Sequence, residues 1–240
     1  MLWISTRCLR DSPLEVALES LGSLTRGVEI IDGGMHRIPS VSLLESFPYR
    51  YSLRIPSLDI NPASIHEPVR QAAVAVITER FTFAAEINAE VIINPGFTTS
   101  ISEFATARRQ LQRSVQDLLH AADQYGVSFL IRNPGRWHNY LLRTPEDLAM
   151  ISQVPLALDI GHAHVNGCLP QFLQDGASRY CYLYDCKGLS EEHLEVNQGT
   201  IPFRSVATAI IENGAQGVVD VPTYRGADNS IRALRGFGVG

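Results

Sequence analysis

The sequence lacks the features that mark secreted, membrane-spanning and nucleic-acid-binding proteins. Its four cysteines show no C-x-x-C spacing, so we expect reduced thiols rather than a disulfide framework. No apolar run approaches the roughly 20 residues that cross a bilayer, and no positive and then apolar leader opens the chain. The net charge of −5 argues against nucleic acid, because proteins that bind it carry a basic footprint. These absences predict a cytoplasmic protein without a membrane partner.

Also missing is any glycine-rich phosphate loop after the first apolar run, which lowers the case for a doubly wound open sheet. There is no linker or low-complexity tract, so residues 1–240 are expected to form one domain. What the chain does contain is an alternation of short β-branched runs with longer amphipathic segments. The runs lie at 2–6, 27–32, 49–55, 89–94, 127–132, 156–160, 181–185 and 217–221.

Eight such strands, alternating with about eight helices in 240 residues, predict an α/β protein with a single (β/α)8 TIM barrel. The strands are apolar with little alternation, which is typical of parallel strands covered on both faces. Gly126 is expected to end the long helix before the fifth strand. Thr144 and Pro145, with the acidic residues after them, predict that a helix begins between the fifth and sixth strands.

In such a barrel the active site forms at the carboxyl ends of the strands, so the residues that end each strand are the candidates. All eight strands end in, or are directly followed by, a polar side chain suited to a ligand, metal or substrate. In chain order these residues are Thr6 and Arg7, Asp32, Arg54, Asn94, Arg132 and Asn133, Asp159 and His162, Tyr182 and Asp185, and Asp220.

These segments, in this order, resemble the xylose-isomerase-like barrels, which include sugar isomerases and epimerases and the zinc-dependent apurinic endonucleases. The most specific motifs are "LDIGHAH" at 158–164 and the H-L-x-x-x-x-G-x-I pattern from His193 to Ile201. The resemblance covers nearly the whole chain. Supporting segments are "GVEII" (27–31), "SLDINPAS" (57–64), "VIINPG" (91–96), "AADQYGVSFLIRNP" (121–134), "YLYDCKG" (182–188) and "GVVDVP" (217–222).

The resemblance implies a shared metal site with a carboxylate after strand 5, an Asp after strand 6, a His on strand 7 and a Glu after strand 8. The matching positions here are Arg132, Asp159, Tyr182 and Asp220. A guanidinium has no lone pair to donate and would repel a divalent cation. We therefore expect this site to have lost its metal, and Arg132 to pair with Asp159 or Asp220 or to bind an anion.

Two further metal positions of the endonuclease type are implied by the same resemblance. A His on strand 3 and another on strand 4 are replaced by Arg54 and Asn94. The third site keeps ligand types through His162, Glu191 and His193, and two imidazoles with a carboxylate are a reasonable set for zinc. One divalent metal, zinc or manganese, is therefore the only cofactor that we consider.

The candidate roles follow from these positions. Asp159 or Asp220 is the candidate base, and Tyr182 the candidate acid or hydrogen-bond donor to an enolate oxygen. Arg54 and Arg132, with Arg7, either line a pocket for a carboxylate or phosphate or form ion pairs that fill the barrel top. The predicted substrate-binding residues are Arg54, Asn94, Arg132, Asn133, Lys187 and His36.

Three functional hypotheses remain open. The first is a sugar or sugar-phosphate isomerase or epimerase with a degenerate metal site and an arginine-lined pocket for an anionic small molecule. The second is a metal-dependent hydrolase of the apurinic endonuclease kind, and the third is a non-catalytic barrel that binds a ligand or partner. His138, together with Trp137 and Tyr140 on the long loop after the fifth strand, is a candidate for part of a lid over the mouth.

Overall fold

The computed structural model describes residues 1–56, 59–174 and 178–240, and all structural statements refer to these ranges. The first two positions of the "SLDINPAS" segment, 57 and 58, lie outside them. Eight parallel strands close into a barrel, each paired with the next and the last with the first, which confirms the predicted (β/α)8 architecture. The strands are β1 Trp3–Ser5, β2 Gly27–Ile31, β3 Arg50–Arg54, β4 Glu90–Ile93, β5 Phe129–Arg132, β6 Leu156–Asp159, β7 Tyr180–Leu183 and β8 Gln216–Val219.

Helices of very different length surround the barrel. Gly126 adopts a left-handed conformation (φ 67°) and ends the longest helix, as predicted, because a residue with a Cβ is strained there. After β5 a 3-10 helix, Pro145–Ile151, stands in place of an α-helix. The α-helices are α1 Leu14–Leu21, α2 Val41–Glu45, α3 Glu67–Glu86, α4 Phe104–Tyr125, α5 Ile160–Val165, α6 Leu169–Gln174, α7 Phe203–Asn213 and α8 Tyr224–Gly236. Among the helices described, none is long and apolar enough to cross a membrane.

The barrel interior carries a polar layer where branched apolar side chains usually dominate. Glu29 of β2 lies in register with Ser5 of β1 and Ser52 of β3, and all three are fully buried. Tyr180 reaches across from β7 and hydrogen-bonds both Ser52 and Glu29. This layer lies directly beneath the rim at which the polar strand ends meet.

The amino-terminal end of the barrel is closed by apolar packing. Trp3 is buried and covers Gly27, where a Cβ atom would overlap the indole ring. Glycine is therefore required at the start of β2 for close packing rather than for its backbone conformation. The buried polar layer and the polar strand ends thus lie in the middle and at the carboxyl end of the barrel.

Candidate functional site

The four positions that correspond to the shared metal site converge in one cluster at the carboxyl ends of β5 to β8. Arg132 donates from Nε to Oδ2 of Asp159 at 3.0 Å, and its Nη2 bonds the same oxygen. The same Nη2 lies 3.7 Å from Oδ2 of Asp220, and the guanidinium carbon lies 4.2 Å from the ring centre of Tyr182. A guanidinium therefore bridges two carboxylates, and the predicted pairing of Arg132 with Asp159 is confirmed.

Asp159 is fully engaged by its neighbours. Its Oδ1 accepts hydrogen bonds from the amide of His162 and from the hydroxyl of Tyr184, each at 2.8 Å, while Oδ2 accepts from Arg132. Burial favours the neutral acid, but the charges of His162 and Arg132 and the amide hydrogen bond outweigh it and lower the pKa of Asp159 to about 2. Asp159 is thus an ionised acceptor with two donors on each oxygen.

Asp220 is held in the same way by two other arginines. Arg54 donates in a bidentate manner, from Nη1 to Oδ2 and from Nη2 to Oδ1, each at 3.0 Å. Arg7, in the turn after β1, donates from Nε to Oδ1 at 3.0 Å. Although burial opposes ionisation, the charges of Arg54 and Arg7 hold the pKa of Asp220 well below its ordinary value.

Glu29 belongs to this cluster, and the sequence analysis missed it. Its Oε2 accepts hydrogen bonds from the hydroxyls of Tyr180 (2.9 Å) and Tyr182, and its Oε1 lies 3.2 Å from Nε of Arg54. Burial raises the pKa of Glu29, with Arg54 acting in the opposite direction. The only signal in the sequence is an acidic residue within the apolar run "GVEII".

Tyr182 lies beneath the rim rather than on it. Its side chain is fully buried, its hydroxyl donates to Glu29, and both Arg54 and Arg132 lie over its ring. Burial raises the pKa of Tyr182 well above its ordinary value. The ring therefore supports two guanidiniums, while the hydroxyl points into the polar layer of the barrel.

The arginines of the cluster are matched in number by carboxylates, three of each. Arg54 is almost fully buried and surrounded by acceptors, whereas the side chain of Arg7 keeps 24% of its accessible surface. Arg54 and Arg132 therefore form ion pairs in the structure, which was one of the two interpretations of these residues. The six groups are Arg7, Arg54, Arg132, Glu29, Asp159 and Asp220.

A cavity of about 350 Å³ opens above this cluster. Three of its lining residues are arginines of the cluster, and half-buried Asn94, at the end of β4, adds an amide. The lining consists of Arg7, Ile31, Arg54, Ile55, Pro56, Asp59, Asn94 and Arg132. A larger groove of about 500 Å³ runs between α4 and the 3-10 helix after β5, remote from the strand ends. The smaller cavity is therefore the candidate ligand site.

His162 occupies the first turn of α5, directly behind Asp159. Its Nδ1 lies 2.8 Å from the carbonyl oxygen of Asn133, which fixes the proton on Nδ1 and leaves the lone pair on Nε2. Nε2 lies 3.8 Å from Oε2 of Glu191.

Asn133 connects β5 to β6, because its side-chain amide hydrogen-bonds both the backbone N–H and the carbonyl oxygen of Asp159.

His193 is held at the rim by its backbone and by its ring. It has a positive φ of 50°, next to the backbone bridge between Asp185 and Leu194. Its Nδ1 donates to the carbonyl oxygen of Asp220 at 2.7 Å, so Nε2 carries the lone pair here too. Burial lowers the pKa of His193 to about 4, and the imidazole is therefore neutral at pH 7.

The predicted metal set of His162, Glu191 and His193 is not assembled. Glu191 accepts a hydrogen bond from the amide of Arg136 at 2.8 Å, and Tyr184 stacks on His193 with ring centres 3.8 Å apart while its edge meets His162. Within the ranges described, no three His, Cys, Asp or Glu side chains are grouped to hold a metal ion. The donor types suit zinc, but the three side chains are not grouped around one point. Metal binding by these residues therefore remains a prediction.

Three predicted substrate-binding residues do not line the cavity, and fully buried Asn133 is one of them. His36 is buried, with Nε2 at 3.1 Å from the carbonyl oxygen of Ser12. Lys187 is exposed, and its backbone amide bonds Glu192. Neither of these two residues lines the cavity at the mouth.

An aromatic cluster joins the loops after β4 and β5. Trp137 packs 5.2 Å from Phe97 and 5.0 Å from Tyr140, and a backbone bridge connects Phe97 with Tyr140. Trp137 remains 40% exposed. Since Glu191 from the loop after β7 holds the amide of Arg136, three loops fix the position of this indole.

The comparison with known families agrees with this architecture. A model described as "Xylose isomerase-like TIM barrel" matches residues 41–237. The chain belongs to this family. Two uncharacterized proteins of Methanocaldococcus jannaschii are similar to it: MJ1614, 26% identical over 81% of this chain and 80% of its own, and MJ1311, 27% identical over 80% and 73%.

Three solved structures have a similar fold. A D-tagatose 3-epimerase-like protein superposes with a TM-score of 0.89 at 23% identity, over 98% of this chain and 96% of its own. L-ribulose 3-epimerase gives 0.83 at 14% identity, over 99% and 94%. The IOLI protein, solved with a bound zinc atom, gives 0.80 at 17% identity, over 99% and 96%.

Proposed function

We propose that this barrel is an isomerase or epimerase of a sugar acid or sugar phosphate, and that arginines replace the divalent metal in its site. The observation that carries the proposal is the guanidinium of Arg132, which lies between Asp159 and Asp220 and over Tyr182. A cation placed between these two carboxylates would meet a fixed positive charge instead of a ligand. Similarity to an epimerase-like structure and to an epimerase supports the reaction class.

The donors that could hold an oxyanion come from two arginines. The hydrogen bonds of Arg132 to Asp159 use Nε and Nη2, and that of Arg7 to Asp220 uses Nε. Nη1 of Arg132 and both Nη atoms of Arg7 have no hydrogen-bond partner among the described residues, and both side chains line the cavity. Guanidinium donors in a partly dry cavity stabilise developing negative charge, which is what an enediolate requires.

The carboxylates predicted as bases are poorly suited to that role. Asp159 carries two donors on each oxygen, and Asp220 is ionised by two arginines. We assign the base to His193, whose Nε2 has no hydrogen-bond partner among the described residues and whose side chain is 13% exposed. Its ring lies beside Asp220 at the rim and does not itself line the cavity. Nε2 takes the proton from the carbon beside the substrate carbonyl, and the C–H electron pair forms an enediolate held by Arg132.

Returning that proton completes the reaction. Delivery to the neighbouring carbon, as the enediolate hydroxyl passes its proton to the adjacent oxyanion, gives an isomer. An epimer forms when the enediolate turns over in the cavity and His193 returns the proton to the opposite face of the same carbon. Neither outcome consumes an oxidant or a second substrate. Isomerisation therefore needs only a polarising donor and a neutral base, which Arg132 and His193 supply.

A non-catalytic barrel is the second candidate. It is favoured by the equal number of guanidiniums and carboxylates, which makes the cluster self-sufficient without a ligand. The endonuclease-like hydrolase has weaker support, because Arg54 and Arg132 occupy metal positions and the net charge is −5.

Solvent deuterium exchange separates these functions. Ketoses, ketose phosphates and keto sugar acids are incubated with the protein in D2O with EDTA, and deuterium uptake at carbon is followed by NMR. We expect uptake with a phosphorylated or carboxylated sugar, and at least tenfold less with Arg7→Ala, which removes cavity donors. Arg108→Ala is the matched control, since Arg108 lies on outer helix α4 and pairs with Asp147.

Each other outcome identifies an alternative. Uptake that requires added manganese and is abolished by EDTA contradicts the metal-free site. Binding of a sugar phosphate by calorimetry, without uptake for any compound, supports the non-catalytic barrel.

A further inference from the structure

Glu29 is a fully buried carboxylate beneath the mouth, surrounded by polar groups from the whole barrel. The charged and titratable groups that face it are Arg54 from β3, Arg132 from β5, Tyr180 and Tyr182 from β7, and Asp220 after β8. Ser5 and Ser52 are its neutral neighbours on β1 and β3. Arg54, which lies 3.2 Å from Oε1, connects it to Asp220 and to the cavity.

We propose that Glu29 is a positioning residue that binds Arg54 and Tyr182 from below, and that its protonation leaves one uncompensated positive charge at the mouth for an anionic ligand. The inference rests on the proposed function in that the same cavity receives the anion. With Glu29 ionised, three carboxylates balance three guanidiniums. With Glu29 neutral, two carboxylates remain, and the cluster attracts an anion more strongly.

The other groups of the cluster do not change charge near neutral pH. The pKa of Asp159 is lowered to about 2 and that of His193 to about 4, and the pKa of Asp220 lies well below its ordinary value. Arg54 and Tyr182 have raised pKa values and keep their protons. Glu29 differs because burial raises the pKa of its carboxyl, with Arg54 acting in the opposite direction.

The direction of the pH dependence follows from this arrangement. Below the raised pKa Glu29 is protonated and the anion binds tightly, and above it the restored negative charge weakens binding. Sulfate is a suitable probe because its own charge does not change between pH 5 and 8.5. Its affinity is measured by calorimetry at constant ionic strength, since surface charge effects vary with salt.

We expect the wild-type affinity for sulfate to fall about tenfold across this pH range, which is the effect of one unit charge a few ångströms away in a partly wet cavity. Glu29→Gln removes the charge and should keep the low-pH affinity at pH 8.5. Glu29→Asp keeps the charge and should keep the pH dependence. Glu90→Gln is the matched control, because Glu90 lies at the opposite end of the barrel, where it pairs with Arg179.

The outcomes separate this inference from the proposed function. Sulfate binding whose pH dependence survives in Glu29→Gln overturns the role of Glu29 and leaves the anion pocket intact. Absence of sulfate binding at every pH overturns both. Carboxyl 13C NMR of the wild type tests the same point without a substitution: a glutamate carboxyl titrating with the midpoint of the sulfate affinity supports it, and a Glu29 ionised down to pH 5 overturns it.

Discussion

The guanidinium of Arg132 and the carboxylate of Asp159 form a buried pair at the ends of the neighbouring strands β5 and β6. The pair is completed from above by the amide of His162 and, from the segment after β7, by the hydroxyl of Tyr184, so each oxygen of Asp159 has two donors. It stands at two positions for which the sequence resemblance implied metal ligands. The stability of the barrel mouth therefore depends on one fixed positive charge, and this gives the first prediction.

Arg132→Met should destabilise the fold by about 3–5 kcal/mol, because it leaves Asp159 ionised, buried and short of its counter-charge. Asp159→Asn in the same background removes that charge and should restore at least half of the loss. Urea unfolding of the two variants and the wild type gives the free energies, with the urea slope as a check on two-state behaviour. A decrease of less than 1 kcal/mol in the free energy of unfolding would mean that Arg54 and Arg7 also balance the charge of Asp159.

The same pair predicts an acid limit of stability. The pKa of Asp159 is about 2 in the folded chain and near 3.9 in an unfolded one, so its contribution is present above pH 4 and is lost as the pH falls toward 2. This amounts to about 2–3 kcal/mol. We expect urea midpoints measured from pH 6 down to pH 2.5 to fall less steeply in Asp159→Asn than in the wild type. Parallel profiles would contradict the lowered pKa.

Trp137 should report ligand binding by its fluorescence. The chain has two tryptophans, and Trp3 is buried at the opposite end of the barrel, whereas Trp137 is 40% exposed and fixed beside the mouth loops. Trp3→Phe should keep the emission change caused by a bound sugar phosphate, and Trp137→Phe should lose most of it. Calorimetry on both variants shows whether binding itself persists. A change that follows Trp3 would place the ligand away from the predicted lid.

The rim of the site was predictable because it depends on strand ends. A polar residue that closes an apolar run is visible in the sequence, and parallel strands in a closed barrel bring such residues together. Arg132, Asp159 and Asp220 were identified on this basis, and they meet within hydrogen-bond or ion-pair distance. The partners of Arg132 were predictable as well, because a guanidinium placed between two carboxylates pairs with them.

What lies below the rim or on the loops could not be predicted in the same way. Glu29 faces inward from the middle of β2, and its partners Tyr180 and Tyr182 come from a strand across the barrel. His36 and Lys187 were assigned from their places in loops, whose direction depends on packing that a single sequence does not reveal. Pro145 correctly marked a helical start, but the segment forms a 3-10 helix.

Metal binding is tested by restoring a carboxylate. Arg132→Glu places a third acid beside Asp159 and Asp220, and manganese should raise its free energy of unfolding, because the folded state alone offers the ligands. The wild type should show no such effect, since Arg132 repels the ion. Stabilisation of the wild type that disappears in His162→Ala would instead support the predicted site of His162, Glu191 and His193.

A substitution of His193 tests the proposed chemistry with the least expected effect on folding. Its Nδ1 is fixed on the carbonyl of Asp220, so His193→Gln can keep a hydrogen bond there while it loses the basic Nε2 lone pair. Deuterium uptake should fall by at least a hundredfold with little change in ligand affinity, which is the range of a general base. The matched control is His164→Gln, since His164 lies two residues beyond His162 and bonds Thr200. If His193→Gln retains full uptake, the proton is taken by another group, and the carboxylates return as candidates despite their occupied lone pairs.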